Sequence, residues 1–322
     1  MVKQEAKELG IDFFARVQLD MYDDLFSRRS SGEKLIINKY MESQFLISPK
    51  THQEQKIADS ISKWRNDQIT SLEAELAKQF VRQTKAKDEL DKKTTKKAEQ
   101  ELRVSTSKID QIGFKLKKIK SEEYLSEDEK SVFPYTYLSM ITVDRNGERI
   151  VAPFRYHLRP SGQPETFDRK YNGCYNARRN NLGNSFWKPL FGKQHGIILV
   201  EKFYEHVATE DYLKKLELPK EQQNTTNTIL CFRPEGHDYM IVPTLWDVNK
   251  QKGQPDLYSC AVITDEPPAE IAETGHNRCP IFIKPENVER WLNPGGRDLK
   301  ELYEILADKQ TPRYQHSVVN VA

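Results

Sequence analysis

Tyr135-Thr136-Tyr137-Leu138-Ser139-Met140-Ile141-Thr142, then Asn146-Gly147, then Arg149-Ile150-Val151-Ala152-Pro153-Phe154-Arg155 is the stretch whose reading decides the fold. Two β-branched and aromatic runs flank an Asn-Gly pair, and those two residue types accept the positive φ of a tight hairpin turn. Further runs of the same texture follow: Gly196 to Phe203, Thr228 to Arg233, Tyr239 to Trp246 and Ser259 to Thr264. Glycine, proline and asparagine turns separate most of them. The pattern predicts an antiparallel, β-rich core.

Upstream the texture is helical. Between Thr51 and Glu123 there is no proline, and Gly113 is the only glycine. Ile57, Ile61 and Trp64 begin an apolar stripe that Leu72, Leu76 and Phe80 resume, and Leu102, Ile109, Ile112, Leu116 and Ile119 form a second. Steps of three and four residues place each stripe on one helix face. The lysine- and acid-rich segment from Lys85 to Lys97 separates them, so two long helices should fold back on each other around a polar tip. That tip reads first as a solvated face and second as a contact for a DNA backbone. Asp12 to Leu25 reads as an amphipathic helix docked on the core, and Glu286 to Leu292 and Arg297 to Leu306 as short helices. The expected fold is α+β: residues 1–50 as a helical part of the core, 51–130 as an inserted antiparallel helical hairpin, and 131–322 as the β-rich core.

Composition narrows the function classes. The 322 residues carry 50 basic and 48 acidic side chains, a net charge of +2, so nucleic acid would be held by local patches and not by a global field. Cys174, Cys231, Cys260 and Cys279 contain no Cys-x-x-Cys pair, which argues against a zinc ribbon or redox dithiol and fits a reduced, cytoplasmic protein. The first residues, Met1 to Gly10, are charged, and no apolar run approaches the roughly 20 residues that span a membrane. Gly192-Lys193 lacks the phosphate-loop frame, and there is neither a Gly-x-Ser-x-Gly elbow nor a His-Glu-x-x-His pair. No metal or cofactor is expected.

Three polar clusters stand out against the strand-like background: Tyr175-Asn176-Ala177-Arg178, Phe203-Tyr204-Glu205-His206 and His276-Asn277-Arg278-Cys279-Pro280. Asn176 and Arg178, two apart in a strand, share a face. Glu205 ends the apolar run from Ile197 to Tyr204, where a carboxylate is costly unless paired. An amide, a carboxylate and an imidazole on a rigid scaffold can steer proton transfer while arginines grip an anion. Each also has a structural reading: Asn176 as a turn residue, Arg178 in a surface salt bridge, His276 as a satisfied structural histidine, Cys174 and Cys279 as small buried hydrophobes.

The order Asn-Ala-Arg, an apolar run into Phe-Tyr-Glu, Leu-Trp, Ile-Thr and His-x-Arg-x-Pro resembles the SOS-response-associated peptidase (SRAP) family from about Pro153 to Leu292, with Ser317 to Val321 similar to its closing strand. Members are abasic-site processing proteins that crosslink to damaged single-stranded DNA through an N-terminal cysteine. The resemblance implies catalytic roles for Asn176, Glu205 and His276 and DNA contacts at Arg178, Arg179, Thr264 and Arg278. It implies abasic single-stranded DNA as partner, a monomer, and a cytoplasmic location associated with the nucleoid. The amine and thiol of the cysteine would close a thiazolidine on the abasic aldehyde, and the same groups would remove the initiator methionine.

Two positions depart from the family pattern. The chain begins Met1-Val2-Lys3 where members begin Met-Cys, and the expectation is a start at an internal methionine, a few residues after the nucleophile. His206 stands where members commonly carry tryptophan. The competing readings are a Schiff-base lyase without the cysteine, a non-catalytic single-strand binder using Arg169, Lys170, Tyr171, Tyr175, Arg178 and Arg179, and a conventional peptidase. The last is disfavoured because Cys279 lies three residues from His276, awkward for a nucleophile and its base.

Overall fold

The structure is a computed structural model, described over residues 15–121, 130–208 and 227–319. The chain divides into two compact units, residues 19–131 and residues 1–18 with 132–322.

The first unit is helical: Leu19–Ser30 (α1), Lys39–Leu46 (α2), His52–Lys92 (α3) and Lys96–Lys120 (α4). Thr51 and Glu54 close a capping box at the start of α3, and the Thr95 hydroxyl caps α4. The antiparallel pair α3 and α4 buries Ile57, Ala58, Ile61 and Ala86 from one helix and Ala98, Ile112 and Leu116 from the other. Phe80, expected in the stripe, is 48% exposed, and Gln79 takes the inner position at 3%. The long stripe thus slips by one residue where α3 meets the polar tip.

Residues 19–50, expected with the core, group with this hairpin instead. A buried charge cluster explains it. Glu42 of α2 accepts from Arg29 of α1 at 2.6 Å and from Arg65 Nε of α3 at 2.8 Å, and the Arg29 guanidinium lies 4.0 Å over the Trp64 ring. The expected helix from Asp12 begins in the structure at Leu19, and residues 1–14 lie outside the described ones.

The second unit carries the strands Arg16–Val17 (β1), Thr136–Val143 (β2), Arg149–Tyr156 (β3), Asn176–Arg178 (β4), His195–Val200 (β5), Phe203–Ala208 (β6), Asn227–Pro234 (β7), Met240–Asn249 (β8), Leu257–Asp265 (β9), Cys279–Pro280 (β10) and Tyr314–Val319 (β11). Its helices are Thr166–Lys170 (α5), Ala269–Ala272 (α6), Val288–Leu292 (α7) and Leu299–Ala307 (α8). The β2–β3 hairpin turns at Asn146-Gly147, with Gly147 at φ 81°. β2 pairs with both β3 and β5, and the path β3-β9-β8-β5 returns to β2, so these strands close on themselves. Closure leaves no free hydrogen-bonding edge on them. β6, β7 and β11 form a separate antiparallel sheet.

The run read as one strand from Gly196 to Phe203 is broken at Glu201-Lys202, and the chain passes there from the closed sheet to the three-stranded one. The apolar layer between the closed sheet and its cover includes Ile197, Ile241, Leu245, Ile263, Phe232 and Trp291. Trp291 donates to Gly196 O at 2.9 Å and stacks on His195 at 3.8 Å. His195 in turn accepts from Gly192 N at 2.9 Å, and burial holds its pKa down to about 3.

On the other face of β5, a Cβ at Gly196 would meet Met140 Sδ and Thr244 Oγ1, each at 2.8 Å. Met140 can swing aside but β-branched Thr244 cannot without cost. Gly196→Ala should therefore destabilise the protein by about 1–3 kcal/mol in chemical denaturation, and an unchanged midpoint would contradict the packing.

Candidate active site

β9 gathers the predicted residues. Near its end Val262, Ile263 and Thr264 register with Asn176, Ala177 and Arg178 of β4 on one edge, while Thr264 and Asp265 register with Pro280 and Cys279 of β10 on the other. Ala177 and Ile263 point into the core, fully buried. Asn176, Arg178 and Thr264 therefore share the opposite face. Between β9 and β10 the chain makes α6 and a turn at Gly275, whose φ of 92° suits glycine, and His276 follows at once.

Glu205 arrives from the three-stranded sheet. It lies within β6, between Phe203 and Val207 on the buried side of that strand, and does not end an apolar run as the sequence had indicated. Its Oε2 is 2.7 Å from Nε2 of His276, and both side chains are about one-fifth exposed, at 21% and 20%. Nδ1 of His276 lies 3.3 Å from Arg278 O. A carbonyl only accepts, so Nδ1 carries a hydrogen, and the 2.7 Å contact holds one proton between the other nitrogen and the carboxylate.

The hydrogen bond to Glu205 raises the His276 pKa above its ordinary value, against the lowering effect of burial. The contact favours the imidazolium form of the ring. Because the folded state binds this proton more tightly than the unfolded chain, the pair's contribution to stability is complete below about pH 6.5 and is lost as pH rises through the raised value.

Asn176 is held by Tyr156, whose ionisation the Glu205 charge opposes. The Tyr156 hydroxyl donates to Asn176 Oδ1 at 3.4 Å, and its pKa is pushed far up by burial, then by Cys260, Tyr175 and Glu205. Tyr156 was not singled out in the sequence. It lies one residue past the run ending at Arg155, and only the register shows that its side chain faces Asn176. Thr264 is 3% exposed, and its Oγ1 has no hydrogen-bond partner among the described residues. An orphaned hydroxyl on the face shared with Asn176 and Arg178 is a donor waiting for an acceptor.

The arginines divide. Arg178 and Arg278 form no ion pair among the described residues and are partly exposed. Arg179, expected to contact DNA, is paired with Asp265 at 3.3 Å, a carboxylate that also accepts from Lys309 at 2.8 Å. No local motif marked that pairing, since Asp265 lies at the end of another strand. His206 is exposed on the opposite side of β6 from Glu205.

Cys174 and Cys279 are poor nucleophiles. Burial raises the Cys279 thiol to about 12, with Glu205 adding to it, and raises Cys174 to about 11. Thiols at those values are protonated at neutral pH. Among the described residues no cluster of histidine, cysteine and carboxylate side chains has the arrangement of a metal site, and no helix is long and apolar enough to cross a membrane.

Comparison with known proteins bears on this arrangement. Two relatives from Bacillus subtilis (strain 168) are named abasic site processing proteins. YoqW is 31% identical over 151 residues, 45% of this chain and 61% of that protein. YobE is 30% identical over 151 residues, 45% of this chain and 62% of that protein. The chain thus spans about three-fifths of the length of these relatives. An X-ray structure of a protein from Bordetella bronchiseptica is similar over 59% of this chain and 87% of that one, with a TM-score of 0.46 and 16% identity. The model of the SOS response associated peptidase (SRAP) family matches residues 81–322, three-quarters of the sequence, with Asn176, Glu205 and His276 all inside the match, and the chain belongs to that family.

Proposed function

We propose that this protein processes abasic sites in single-stranded DNA, with Glu205 and His276 moving the protons. The observation that carries the reading is the 2.7 Å contact between the two, set beside an oriented amide at Asn176 and two arginines with no carboxylate partner among the described residues.

An abasic deoxyribose opens to an aldehyde. An amine adds to the carbonyl carbon and gives a carbinolamine, whose hydroxyl must be protonated before it leaves as water. His276 in its cationic form can give that proton, and Glu205 keeps it cationic. The carboxylate then accepts the proton shed by nitrogen. The α-amine of the N-terminus is the nucleophile in this reading, because its pKa near 8 leaves a useful neutral fraction at cellular pH. Where that residue is cysteine, its sulfur adds to the imine carbon and its thiol proton passes to nitrogen, closing a thiazolidine. The same pair can assist hydrolysis of the peptide bond after an initiator methionine.

Arg178 and Arg278 supply the charge for a phosphate on either side of the lesion. Duplex DNA keeps its bases stacked and its backbone regular, so the splayed single strand is the better fit to so small a cluster.

Two measurements test the reading. Affinity for an abasic single-stranded oligonucleotide should fall as salt rises, and Arg178→Ala and Arg278→Ala should each weaken it irrespective of base sequence and lower the salt slope by about one. Binding that ignores salt would remove these arginines from the interface.

The rate of covalent adduct formation, with borohydride to trap the imine, should pass through a maximum, climbing with pH as the α-amine becomes neutral and declining, at a pH above 6.5, as His276 loses its proton. Glu205→Gln should slow the reaction by roughly 10²- to 10⁴-fold and move the decline to lower pH, because the largest raising influence is gone and burial remains. A decline that stays in place would contradict the pairing.

A further inference from the structure

β3 ends at Tyr156 and β4 begins at Asn176, yet both lie along the same edge of β9. Cys260 registers with Tyr156 and Val262 with Asn176, both parallel. Two residues apart on β9 means the same face, so the sheet sets Tyr156 and Asn176 side by side although residues 157–175 separate them in sequence.

That excursion is tied down at its root. Asp168 in α5 is buried and accepts from Arg155 at 2.8 Å and from Arg159 Nε at 3.0 Å. Leu158 N donates to Cys174 O at 2.9 Å, closing the neck of the loop next to Tyr175. The Tyr156 and Tyr175 rings meet edge to face, with centroids 5.7 Å apart. The chain thus leaves the β9 edge at Tyr156 and regains it at Asn176 with little freedom at either point.

An asparagine amide is nearly symmetric in shape and opposite in chemistry at its two ends. Rotated by half a turn, Asn176 would present an acceptor where a donor stood. The Tyr156 phenol stands beside it, 3.4 Å from Oδ1, and donates to that oxygen. A phenol oxygen also accepts, so what the contact fixes is the place of the Asn176 side chain on the sheet face. The phenol stays protonated throughout the working range of the protein, since burial and the neighbouring Glu205 carboxylate both oppose its ionisation.

We propose that Tyr156 is a positioning residue for the reaction, holding the Asn176 side chain in place through the hydrogen bond to its Oδ1. The inference rests on the abasic-site reading and adds to it a residue that touches no substrate.

The test is a coupling measurement on the full-length protein, using adduct formation with an abasic single-stranded oligonucleotide in the presence of borohydride. Tyr156→Phe should lower the rate at saturating DNA by roughly 10-fold and leave the Kd within about 2-fold. In an Asn176→Ala background the same change should have almost no effect, because the amide it acts through is gone. Equal slowing in both backgrounds would show that Tyr156 acts by some other route, and no slowing in the parent would show that the hydroxyl is dispensable. Either overturns the proposal.

Loss of the adduct in Glu205→Gln marks the assay as reporting the proposed chemistry. If the parent forms no adduct, the abasic-site reading fails, and the positioning claim is then decided by the side-chain amide signals of Asn176 in nuclear magnetic resonance. One sharp pair in the parent and a doubled or broadened pair in Tyr156→Phe supports it. Unchanged signals overturn it.

Discussion

The Asn176 and His276 segments both hang from backbone hydrogen bonds made by the last residues of β9, and Glu205 comes to them from the three-stranded sheet. Val262, Ile263 and Thr264 hold β4 on one edge, and Thr264 and Asp265 hold β10 on the other. A strand within a closed sheet is normally paired along its length by its neighbours. Here β3 and β8 stop short, and two very short strands take over the freed edges. That exchange brings the Asn176 segment and the His276 segment to one place without a helix to carry either of them. Side-chain alternation then sorts the residues, with Ala177 and Ile263 turned to the core and Asn176, Arg178 and Thr264 turned to the opposite face.

The charges around this point are arranged so that none is buried alone. Glu205 sits on the apolar side of β6, where an isolated carboxylate would be strongly disfavoured, and His276 matches it. Asp265 answers Arg179 and Lys309, and Asp168 answers Arg155 and Arg159. Such pairs contribute little net stability over a well-packed apolar substitute, but removing one partner leaves an uncompensated charge and costs several kcal/mol. Their role is placement. Arg178 and Arg278 stand outside this scheme, with no ion pair among the described residues, which is what sets them apart as anion contacts.

Sequence reading recovered what local chemistry encodes. Asn146-Gly147 marks a hairpin because few residue pairs tolerate its turn, and the strand runs around it are β-branched and aromatic enough to need no further evidence. The two long helices were legible from their stripes, and the family from the order of its motifs. What failed is what tertiary contact decides. Phe80 matched the apolar spacing, yet Gln79 takes the inner position and Phe80 is turned outward. Ile197 to Tyr204 read as one strand because Glu201-Lys202 is too short a break to announce a change of sheet. The pairing of Arg179 with Asp265 was not visible because the two are distant in sequence. Residues 19–50 looked like part of the core because nothing local shows that Glu42 lies between Arg29 and Arg65. Tyr156 was passed over for the same reason.

The central claim is that Glu205 holds His276 as a cation poised to give up one proton. A titration of the His276 ring by nitrogen-15 nuclear magnetic resonance measures this directly, because the two ring nitrogens report protonation separately. The account predicts both nitrogens protonated at pH 6.5, a midpoint above that value, and a fall in the midpoint in Glu205→Gln. A ring already neutral at pH 6.5, or a midpoint indifferent to Glu205, would contradict it.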